Sequence, residues 1–527
     1  MREWTVVVVV CVITALGSTW PLARHLTTAI PAGSEPPGLT LLGLFLIDWT
    51  AQVIEGGSWG TYWNAPFFWP HEGTFAWSEP QPLTCALGAA MRGVAGTTLA
   101  YNAIWLLYAI AAGAATYGVA RVLTEDRTAA TWPAVWMVGG AYTIQQAGVL
   151  NLVATPFPIA CVGLVLWHGT RPRHWKPWAA AAMHAATFLT CAQYGMFLTI
   201  LLPAVATPLV AGRTCTARGI AGVVLPWIVA AATVGPFLLS QKRELDAMAL
   251  YRSIDQVRGV LRIQDLFVPA DGHWLTGRLL RWGDHHDLYS WDAGLASLAL
   301  IVAGLAWGRT SAWRGAPRRA LLALLVLVGV SLGLGFGPRL GVEVGGRTVG
   351  PYAWLHATVP GWDGIRSPAR LGLFVTLGVA VLAAPVLAWL RRRAGGARAV
   401  AAVTVSAFAV LAAEMVAMPI PLAQTRDEDR EHDQLVSWLR ENGGGQPVLE
   451  LPMSAGNEPE DLVCEISAVR RALRHGGPVA NGYSGHFPVA YAQLRWATRN
   501  EASAFGVEHA VALGVRYLAV HVHEPEG

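Results

Sequence analysis

Acidic side chains in the segment 22–98 are the first candidates for chemistry. Asp48 follows the apolar run LTLLGLFLI, and Glu79 is held between prolines in SEPQP. A carboxylate at a membrane face could act as a general base towards a lipid-borne substrate, and a solvated surface acid is the common alternative for any one of them. We treat Asp48, Glu79 and Glu35 as candidate catalytic residues, with His71 as a candidate substrate-binding residue.

Arginines in two later segments could bind phosphate. Arg366 and Arg370 lie about one helical turn apart in GIRSPARLG, and Arg252, Arg258 and Arg262 are spaced like one basic helix face. Guanidinium groups bind phosphate through paired hydrogen bonds, but the same residues could anchor the chain to anionic headgroups. Arg252, Arg366 and Arg370 are therefore predicted phosphate-binding residues, with headgroup anchoring as the open alternative.

Metal-binding patterns are weak in this sequence. The run DHHD at 284–287 contains possible ligands, but adjacent residues rarely converge on one ion, and no HxH or HExxH spacing occurs. The six cysteines lie mostly in apolar segments and show no paired spacing, which indicates neither a disulfide framework nor a zinc site. No metal site is predicted.

The candidate residues belong to an unusually apolar chain. Of its 527 residues, 54% are hydrophobic and only 14% are charged, and the mean hydropathy is +0.40. Soluble domains carry roughly a quarter charged residues, and the 24 Trp are typical of membrane–water interfaces. The composition predicts a polytopic α-helical membrane protein, and the net charge of +4 gives no indication of a nucleic-acid partner.

About eleven apolar runs approach the length of about 20 residues that a bilayer requires. These predicted spans lie near 4–21, 99–120, 128–146, 149–168, 177–193, 195–212, 219–240, 291–308, 320–336, 370–390 and 399–418. Starting from Arg2 inside, the loops after even-numbered crossings carry Arg or Lys, as expected for the cytoplasmic side. The first run is interpreted as a retained helix, with a cleaved signal peptide as the alternative.

An odd number of spans places the segments 22–98, 241–290 and 337–369 outside, together with the tail. In the first of these segments, Asp48, Gln52 and Glu55 share one face of a helix predicted over 39–55. If this helix crossed the bilayer, every later loop would change sides. We therefore expect an amphipathic helix at the outer surface, with its polar stripe turned towards the site and its apolar side in lipid.

Smaller elements follow from local patterns. VEVGGRTV predicts a hairpin with a Gly-Gly turn, and in the tail DQLVSWLREN predicts a helix, while QPVLELPM and VRYLAVHVHEPEG predict strands. We predict a transmembrane domain over 1–418 and a small external α/β domain over 419–527. Within the predicted membrane, His184 and Glu414 are the main ionisable residues, and each is a functional hypothesis by default.

Several strings together resemble a known group of enzymes. FFWPHEGTFAWSEPQPL, LAYNAIWLL, NLVATPFPIACVGL, GPYAWLHATVPGWDGIRSPARLGLF, VLELPM and VANGYSGHFP are similar to a bacterial branch of the GT-C superfamily, and the resemblance covers most of the chain. Its members are polytopic membrane proteins that transfer sugars from polyprenyl-phosphate carriers on the external face. The resemblance implies an external-loop carboxylate that acts as a base or orients a divalent cation, and arginines that meet the departing phosphate.

The chain departs from this branch at three positions. An Asp usually opens the interfacial helix in a string like GDxLLNxW, whereas Gly38 stands at the equivalent position here. Pro80 replaces the usual His after the SE pair, and Val149 or a neighbour replaces another His. Either Glu35, Asp48 or Glu79 then substitutes as the base, or this member has lost transfer activity.

The resemblance implies an integral glycosyltransferase of the bacterial inner (cytoplasmic) membrane, with a cytoplasmic N-terminus. Its donor would be a polyprenyl-phosphate sugar, and its acceptor a cell-envelope glycan, lipid or protein. Membrane lipids would be further partners, and a divalent cation is the one cofactor that the resemblance leaves possible. The alternatives are an inactive member that binds a lipid-linked glycan or a partner, and a lipid or glycan transporter.

Overall fold

The computed structural model describes residues 2–33, 36–211, 216–250, 252–257, 259–267, 293–344, 347–417, 419–425, 433–456, 460–498 and 504–521. Glu35, Arg258 and the run DHHD lie outside these residues. The chain forms two compact units, each built from three stretches. The bundle unit comprises Met1–Ala23, Trp105–Gly235 and Tyr251–Ile420, and the loop–tail unit comprises Arg24–Ile104, Pro236–Leu250 and Pro421–Gly527.

The division into units does not follow chain order. The predicted boundary at 418/419 lies within two residues of the one between Ile420 and Pro421, but the predicted first external loop belongs to the same unit as the tail.

The bundle unit is almost entirely helical. Its α-helices are Arg2–Ser18, Arg127–Gly139, Ala141–Gln145, Leu150–Val153, Pro156–Thr170, Trp175–Thr190, Ala192–Val210, Leu295–Ala303, Arg318–Gly335, Pro351–Thr358, Gly372–Arg393 and Ala397–Met415, together with the parts of Thr97–Leu123 and Ala217–Ala247 that lie in this unit. A π-helical turn, Gly304–Gly308, follows Leu295–Ala303. The predicted hairpin is confirmed, because Val342–Val344 pairs antiparallel with Arg347–Val349.

Eight helices of the described residues are long and apolar enough to cross a membrane. They are Gly38–Gly56, Thr97–Leu123, Leu150–Thr170, Ala192–Val210, Ile220–Ala247, Arg318–Gly335, Pro368–Arg393 and Ala397–Met415. Four other predicted spans coincide with shorter helices, namely Arg2–Ser18, Arg127–Gly139, Trp175–Thr190 and Leu295–Gly308. A multi-pass helical architecture is therefore confirmed, and the count of eleven spans stays a prediction.

The helix Gly372–Arg393 is the centre of the bundle unit. Every residue from Gly372 to Trp389 is buried, as expected for a helix that is apolar on all sides. It packs closely against the helix Arg318–Gly335 at Gly378. A Cβ atom at position 378 would lie 2.3 Å from Cγ2 of Val328, so this contact requires glycine.

The far end of this central helix is held by one carboxylate. Arg391 donates from Nε to Oδ2 of Asp126 at 2.9 Å. The other oxygen of Asp126 accepts from the amide of Ala129 at 3.0 Å and so caps the helix Arg127–Gly139. One side chain therefore fixes the ends of two helices.

Two helices of the chain remain largely uncovered along their apolar length. Only 11% of the apolar stretch of Ile220–Ala247 and 17% of that of Ala397–Met415 is buried, against 100% for Pro368–Arg393. Contiguous apolar surface on this scale marks contact with lipid rather than with water. We therefore expect these two helices to face lipid.

Both ionisable residues of the predicted spans have structural partners. His184 places Nε2 3.0 Å from the carbonyl oxygen of Gly195 on the next helix. Glu414 is buried and accepts from the backbone amides of Leu295 and Ala296, the latter at 3.0 Å. This carboxylate therefore caps the start of another helix, whose first amides have no intrahelical acceptor.

The predicted basic helix face over 252–262 is wrong. The described residues of 252–262 contain one 3₁₀ turn, Ile254–Gln256, and a second turn, Ile263–Leu266, follows; Val257 and Arg262 between them are extended. The amide of Leu261 donates to Gly335 at 2.8 Å, and the carbonyl of Gly259 accepts from Ala369 at 2.8 Å. These backbone bonds to other segments take the place of helical bonds.

The loop–tail unit mixes short helices and strands. Its α-helices are Pro37–Thr40, Leu42–Gly56, Pro82–Ala95, Asp433–Asn442, Val463–His475, Val489–Thr498 and Ala504–Ala512. Ala29–Pro31 pairs antiparallel with Leu422–Gln424, and Val448–Leu451 pairs parallel with Tyr517–Val520. The helix and the two strands predicted in the tail are therefore observed.

The segment Pro66–Trp69 of the predicted first loop bonds to a segment of the tail that lies beside its sheet. The amide of Phe68 donates to Asn481 at 2.9 Å, and that of Val479 donates to Pro66 at 3.0 Å. Val479 in turn forms a parallel bridge with Val448. Backbone hydrogen bonds therefore bring together the strings FFWPHEG, VLELPM and VANGYSGHFP, which carry much of the family resemblance.

A buried ion network supports this sheet. Oε2 of Glu450 accepts from Nε of Arg471 and from Nε2 of His521, both at 2.8 Å. The side chain of Asn481 holds the same strand by bonding the amide and the carbonyl of Glu450. Burial opposes ionisation of Glu450, but His521 and Arg471 outweigh it and lower the pKa of this carboxyl to about 2.

Gly378→Ala and Gly329→Ala both replace a helical glycine by alanine, but we expect them to change the stability of the protein in opposite directions. Gly378→Ala should lower the free energy of unfolding by about 1–3 kcal/mol, because the new Cβ overpacks against Val328. Gly329→Ala is the matched control, since a Cβ there meets nothing within 4 Å, and alanine favours a helix over glycine. Thermal unfolding in detergent measures both variants, and an equal Tm for the two would contradict the packing argument.

The network around Glu450 predicts acid-sensitive stability. A carboxyl whose pKa is lower in the folded chain stabilises it above its ordinary pKa and loses that stabilisation as the pH falls towards the folded value. Wild-type stability should therefore fall between about pH 4 and pH 2 more steeply than that of Glu450→Gln. Tryptophan fluorescence of full-length protein across this range is the measurement. The variant Glu441→Gln changes an exposed acid and should retain the wild-type slope.

Candidate active site

Three arginines of the bundle unit lie close together. Arg370 lies in the 3₁₀ turn Pro368–Leu371 that leads into the central helix, and Arg366 precedes this turn. Arg252 lies shortly before Gly259, which accepts a backbone hydrogen bond from Ala369 of the same turn. Arg252 donates from Nη1 to the carbonyl oxygen of Gly364 at 3.0 Å. All three predicted phosphate-binding residues are therefore brought to one place, which is called the arginine cluster below.

Arg370 is oriented by a buried glutamine. Its Nη1 donates to Oε1 of Gln193 at 2.6 Å, and Nε2 of Gln193 donates to the carbonyl of Ser367 at 2.9 Å. Gln193 lies in the first turn of the helix Ala192–Val210 and is buried. The guanidinium of Arg370 is therefore held by a neutral side chain, which leaves its positive charge uncompensated by Gln193.

The arginine cluster carries concentrated positive charge. Partial burial of Arg252, followed by the charges of Arg366 and Arg370, lowers the pKa of its guanidinium to about 10. Arg252 still keeps its proton at neutral pH, so three cations are held near one another. A phosphate bound there would relieve their mutual repulsion and accept their hydrogen bonds.

An apolar groove occurs in the same unit. Its volume is about 420 Å³, and Ile200, Val330, Leu334, Val349, Gly350, Pro351, Trp354 and Leu355 line it. The helix Pro351–Thr358 on its wall is tied to the arginine-bearing segment, because the hydroxyl of Tyr352 donates to the carbonyl of Ile365 at 3.4 Å. An apolar chain attached to a phosphate could occupy such a groove.

In the loop–tail unit, Asp48 lies in the helix Leu42–Gly56 and is part of a polar network. Its Oδ1 accepts from Nη1 of Arg92 at 2.9 Å and from the hydroxyl of Thr97 at 2.6 Å. The same guanidinium donates from Nη2 to both oxygens of Glu55 at 2.8 Å. Within the described residues both bonds to Asp48 are made at Oδ1, so the carboxylate is oriented while Oδ2 accepts no described bond.

The apolar side of this helix is buried within its own unit. Leu44, Phe45 and Ile47 are buried, and a Cβ at Gly88 of the helix Pro82–Ala95 would meet the side chain of Ile47 at 2.8 Å. Protein therefore covers side chains that the sequence pattern assigned to lipid. The predicted position of the helix at the outer surface stays a prediction, since Gly38–Gly56 is also long and apolar enough to span.

For the other predicted residues of this unit, the structure describes no hydrogen bond to Asp48. His71 is half-buried, its ring lies 5.8 Å from that of Trp77, and burial lowers its pKa. Its Nε2 is buried and has no hydrogen-bond partner among the described residues. Glu79 is partly exposed and has an interaction of its own, while Glu35 lies outside the described residues.

Gly38, which replaces the expected Asp, is tightly packed. A Cβ atom there would lie 2.2 Å from Cγ1 of Val463 and 2.9 Å from Cγ2. Val463 begins the tail helix Val463–His475. Any side chain at position 38 therefore requires the side chain of Val463 to shift.

Several polar partners were not identified from the sequence. Arg92 and Gln193 orient predicted site residues, although neither stands in a motif that indicates a site. Glu450 had one usable signal, because an acid within the otherwise apolar strand VLEL requires a buried cation. Among the described residues, no group of three or more His, Cys, Asp or Glu could hold a metal ion.

Comparison with known proteins gives likeness of structure only. No protein-family model matches the sequence, and no curated protein matches it significantly. The apo crystal structure of the Archaeoglobus fulgidus oligosaccharyltransferase matches with a TM-score of 0.54 at 12% identity, over 98% of this chain and 69% of that chain. The structure of that enzyme tethered to an acceptor peptide with the NVT sequon has a TM-score of 0.56 at 11% identity, over 98% and 68%.

A mycobacterial enzyme is similar as well. The cryo-EM structure of a mutant of the arabinofuranosyltransferase AftD from Mycobacteria has a TM-score of 0.53 at 14% identity, and the match covers 86% of this chain and 31% of that chain. Both proteins belong to the GT-C superfamily. The resemblance is thus confirmed at the level of the fold, and this chain is a multi-pass membrane protein whose structural neighbours are membrane glycosyltransferases.

The arginine cluster predicts selective loss of phosphate binding. Arg366→Gln removes an exposed guanidinium for which no side-chain hydrogen bond is described, and should weaken binding of a short-chain isoprenyl phosphate by about tenfold, as expected for one charged hydrogen bond. Calorimetric titration of full-length protein in detergent is the measurement. Arg339→Gln changes another exposed arginine and should stay within about twofold of wild type. Equal losses in the two variants would contradict a phosphate site at the cluster.

Proposed function

We propose that this protein is an integral membrane glycosyltransferase that takes a sugar from a polyprenyl-phosphate donor and transfers it to an acceptor on the external face. The arginine cluster carries this proposal, because its segment is hydrogen-bonded to a helix that lines an apolar groove. Three cations and such a groove match a phosphate joined to a long hydrocarbon. The fold supports the same conclusion, since it resembles that of an oligosaccharyltransferase over 98% of the chain.

The arginines act on the leaving group. When the bond between the anomeric carbon and the phosphate oxygen breaks, the electron pair stays on the phosphate, which gains negative charge. Arg252, Arg366 and Arg370 stabilise that charge, with Arg370 held ready by Gln193. The groove lined by Trp354 and Leu355 takes the first isoprene units and places the phosphate at the cluster.

A carboxylate accepts the proton of the acceptor as its nucleophilic atom bonds to the anomeric carbon. Asp48 is our first choice, because Arg92 and Thr97 fix its Oδ1 and leave Oδ2 for the acceptor. Glu79 and Glu35 are the other candidates, and His71 is a candidate substrate ligand. A divalent cation is an optional part of the reaction, to be tested with the donor.

The acceptor is a glycan, lipid or protein of the cell envelope. We place the protein in the bacterial inner membrane, with its N-terminus in the cytoplasm and the tail outside, because the Lys and Arg residues of the short loops gather on the N-terminal side. Membrane lipids surround the bundle.

A non-catalytic binder of lipid-linked glycan is the second candidate. Gly38 favours it, because the position that carries an Asp in the resembling branch is filled here by contact with Val463. Such a protein would keep the arginine cluster and bind the donor without releasing the sugar. A transporter is the third possibility.

The decisive experiment compares two acids that share one arginine. Full-length protein in nanodiscs is incubated with a panel of radiolabelled polyprenyl-phosphate sugars and a crude acceptor extract, with and without Mg²⁺. Asp48→Asn should reduce transfer by about a hundredfold or more, as expected for loss of a general base. Glu55→Gln removes the same charge from the same partner, Arg92, and should stay within about threefold because the exposed pair contributes little.

Other results reject specific parts of the proposal. Equal effects of the two substitutions would assign Asp48 a structural role and transfer the test to Glu79→Gln and Glu35→Gln. Donor binding without release by the wild-type protein would establish the non-catalytic alternative.

A further inference from the structure

A second concentration of arginines surrounds a cavity at another end of the bundle unit. The cavity has a volume of about 510 Å³, within the size range of ligand sites. It is lined by Glu3, Trp4, Arg121, Val122, Trp167, Gly169, Thr170, Arg171, Pro317, Arg318 and Arg319. The arginine pattern of the sequence predicts that this end of the helices is cytoplasmic.

Glu3, the single acid in the lining, already forms ion pairs with other side chains. Glu3 accepts from Nε of Arg121 at 3.1 Å and from Nε of Arg127 at 2.9 Å, and the hydroxyl of Tyr117 also donates to it. Its charge is therefore shared between two cations that lie on one side of the cavity.

The remaining three arginines have no such partner. For Arg171, Arg318 and Arg319, the structure describes no ion pair with any described residue. They come from two different loops, one after the helix Pro156–Thr170 and one at the start of Arg318–Gly335. Three like charges facing one cavity repel one another unless an anion lies between them.

Trp167, which lines the cavity, is held in place by Lys176. Lys176 is buried, and its Nζ donates to the carbonyl oxygens of Trp167 and Arg171 at 3.2 and 2.6 Å. The same ammonium lies 5.3 Å from the centre of the Trp167 ring. The backbone that presents Arg171 and the indole that lines the cavity are thus fixed together.

The cavity continues onto two apolar helix faces. Along Arg318–Gly335, Leu322 and Leu325 follow Arg318 at helical spacing and are 43% and 54% exposed. Along Arg2–Ser18, Val8 follows Trp4 by one turn, and both side chains are exposed. An anion bound among the arginines would therefore have uncovered hydrocarbon surface directly next to it.

We propose that this cavity is a binding site for the headgroup of an anionic phospholipid. The phosphate accepts hydrogen bonds from Arg171, Arg318 and Arg319, the glycerol region lies against Trp4 and Trp167, and the acyl chains follow the exposed faces beside Leu322 and Val8. Free phosphate would use the same cations but would leave those apolar faces uncovered, which is why the lipid is the favoured occupant.

The test titrates delipidated full-length protein by native mass spectrometry with phosphatidylglycerol, cardiolipin, phosphatidylcholine and, separately, inorganic phosphate. The triple variant Arg171→Gln/Arg318→Gln/Arg319→Gln should bind both anionic lipids about a hundredfold more weakly, at about a factor of five for each arginine. The control Arg173→Gln/Arg314→Gln/Arg398→Gln removes three exposed arginines that do not line the cavity and should stay within about twofold of wild type.

Thermal unfolding of both triple variants establishes that they are folded. If the cavity variant is not, Arg318→Gln alone replaces it, with an expected loss of about fivefold. Equal losses in the cavity and control variants, or equal binding of phosphatidylcholine by the wild-type protein, would overturn the proposal. So would displacement of the anionic lipid by inorganic phosphate at equal concentration, because it would identify a site for a soluble anion.

Discussion

The burial of one helix on all sides is the constraint on which the bundle depends. Because Gly372–Arg393 has no exposed face over its first eighteen residues, other parts of the bundle must surround it, and its charged groups lie only near its ends. The end that begins the helix adjoins Arg370 and the arginine cluster, while the end that finishes it carries Arg391 and its bond to Asp126. The apolar middle thus keeps the arginine cluster and Arg391 apart at opposite ends of one helix.

Much of this arrangement was predictable, and the physical reason lies in the pattern of apolar residues. Long apolar runs predict helices because backbone groups in lipid must bond within their own segment, and the arginines at Arg366 and Arg370 stood out because they lie on the predicted outer side. The acid in the strand VLEL indicated a buried cation, but the partners Arg471 and His521 could not be identified, because they are distant in sequence and only the fold brings them to Glu450. The helix expected over 252–262 failed because Gly259 and Leu261 bond to other segments, and such competition leaves no periodic signal.

In the candidate site too, the sequence indicates the reactive side chains but not the partners that orient them. Residue types indicated which side chains could bind phosphate or accept a proton, but the partners that orient them were hidden. Arg92 turns Asp48 into an oriented carboxylate, and Gln193 holds Arg370 without cancelling its charge. Gly38 illustrates the converse, because a departure that looked like a simple loss of an acid is matched by the close contact of Val463.

The cap supplied by Glu414 has a consequence for how the bundle is made. The amides of Leu295 and Ala296 receive their acceptor from a residue more than a hundred positions later in the chain. While the ribosome is still synthesising the intervening segments, the start of Leu295–Ala303 has no protein acceptor for these donors and must keep contact with water or with the insertion machinery. Once Ala397–Met415 has been inserted, Glu414 supplies the acceptor for these two amides. Because Ala397–Met415 is synthesised later, it can stabilise the start of Leu295–Ala303 only after its own insertion. A chain whose synthesis stops before residue 414 would lack this cap.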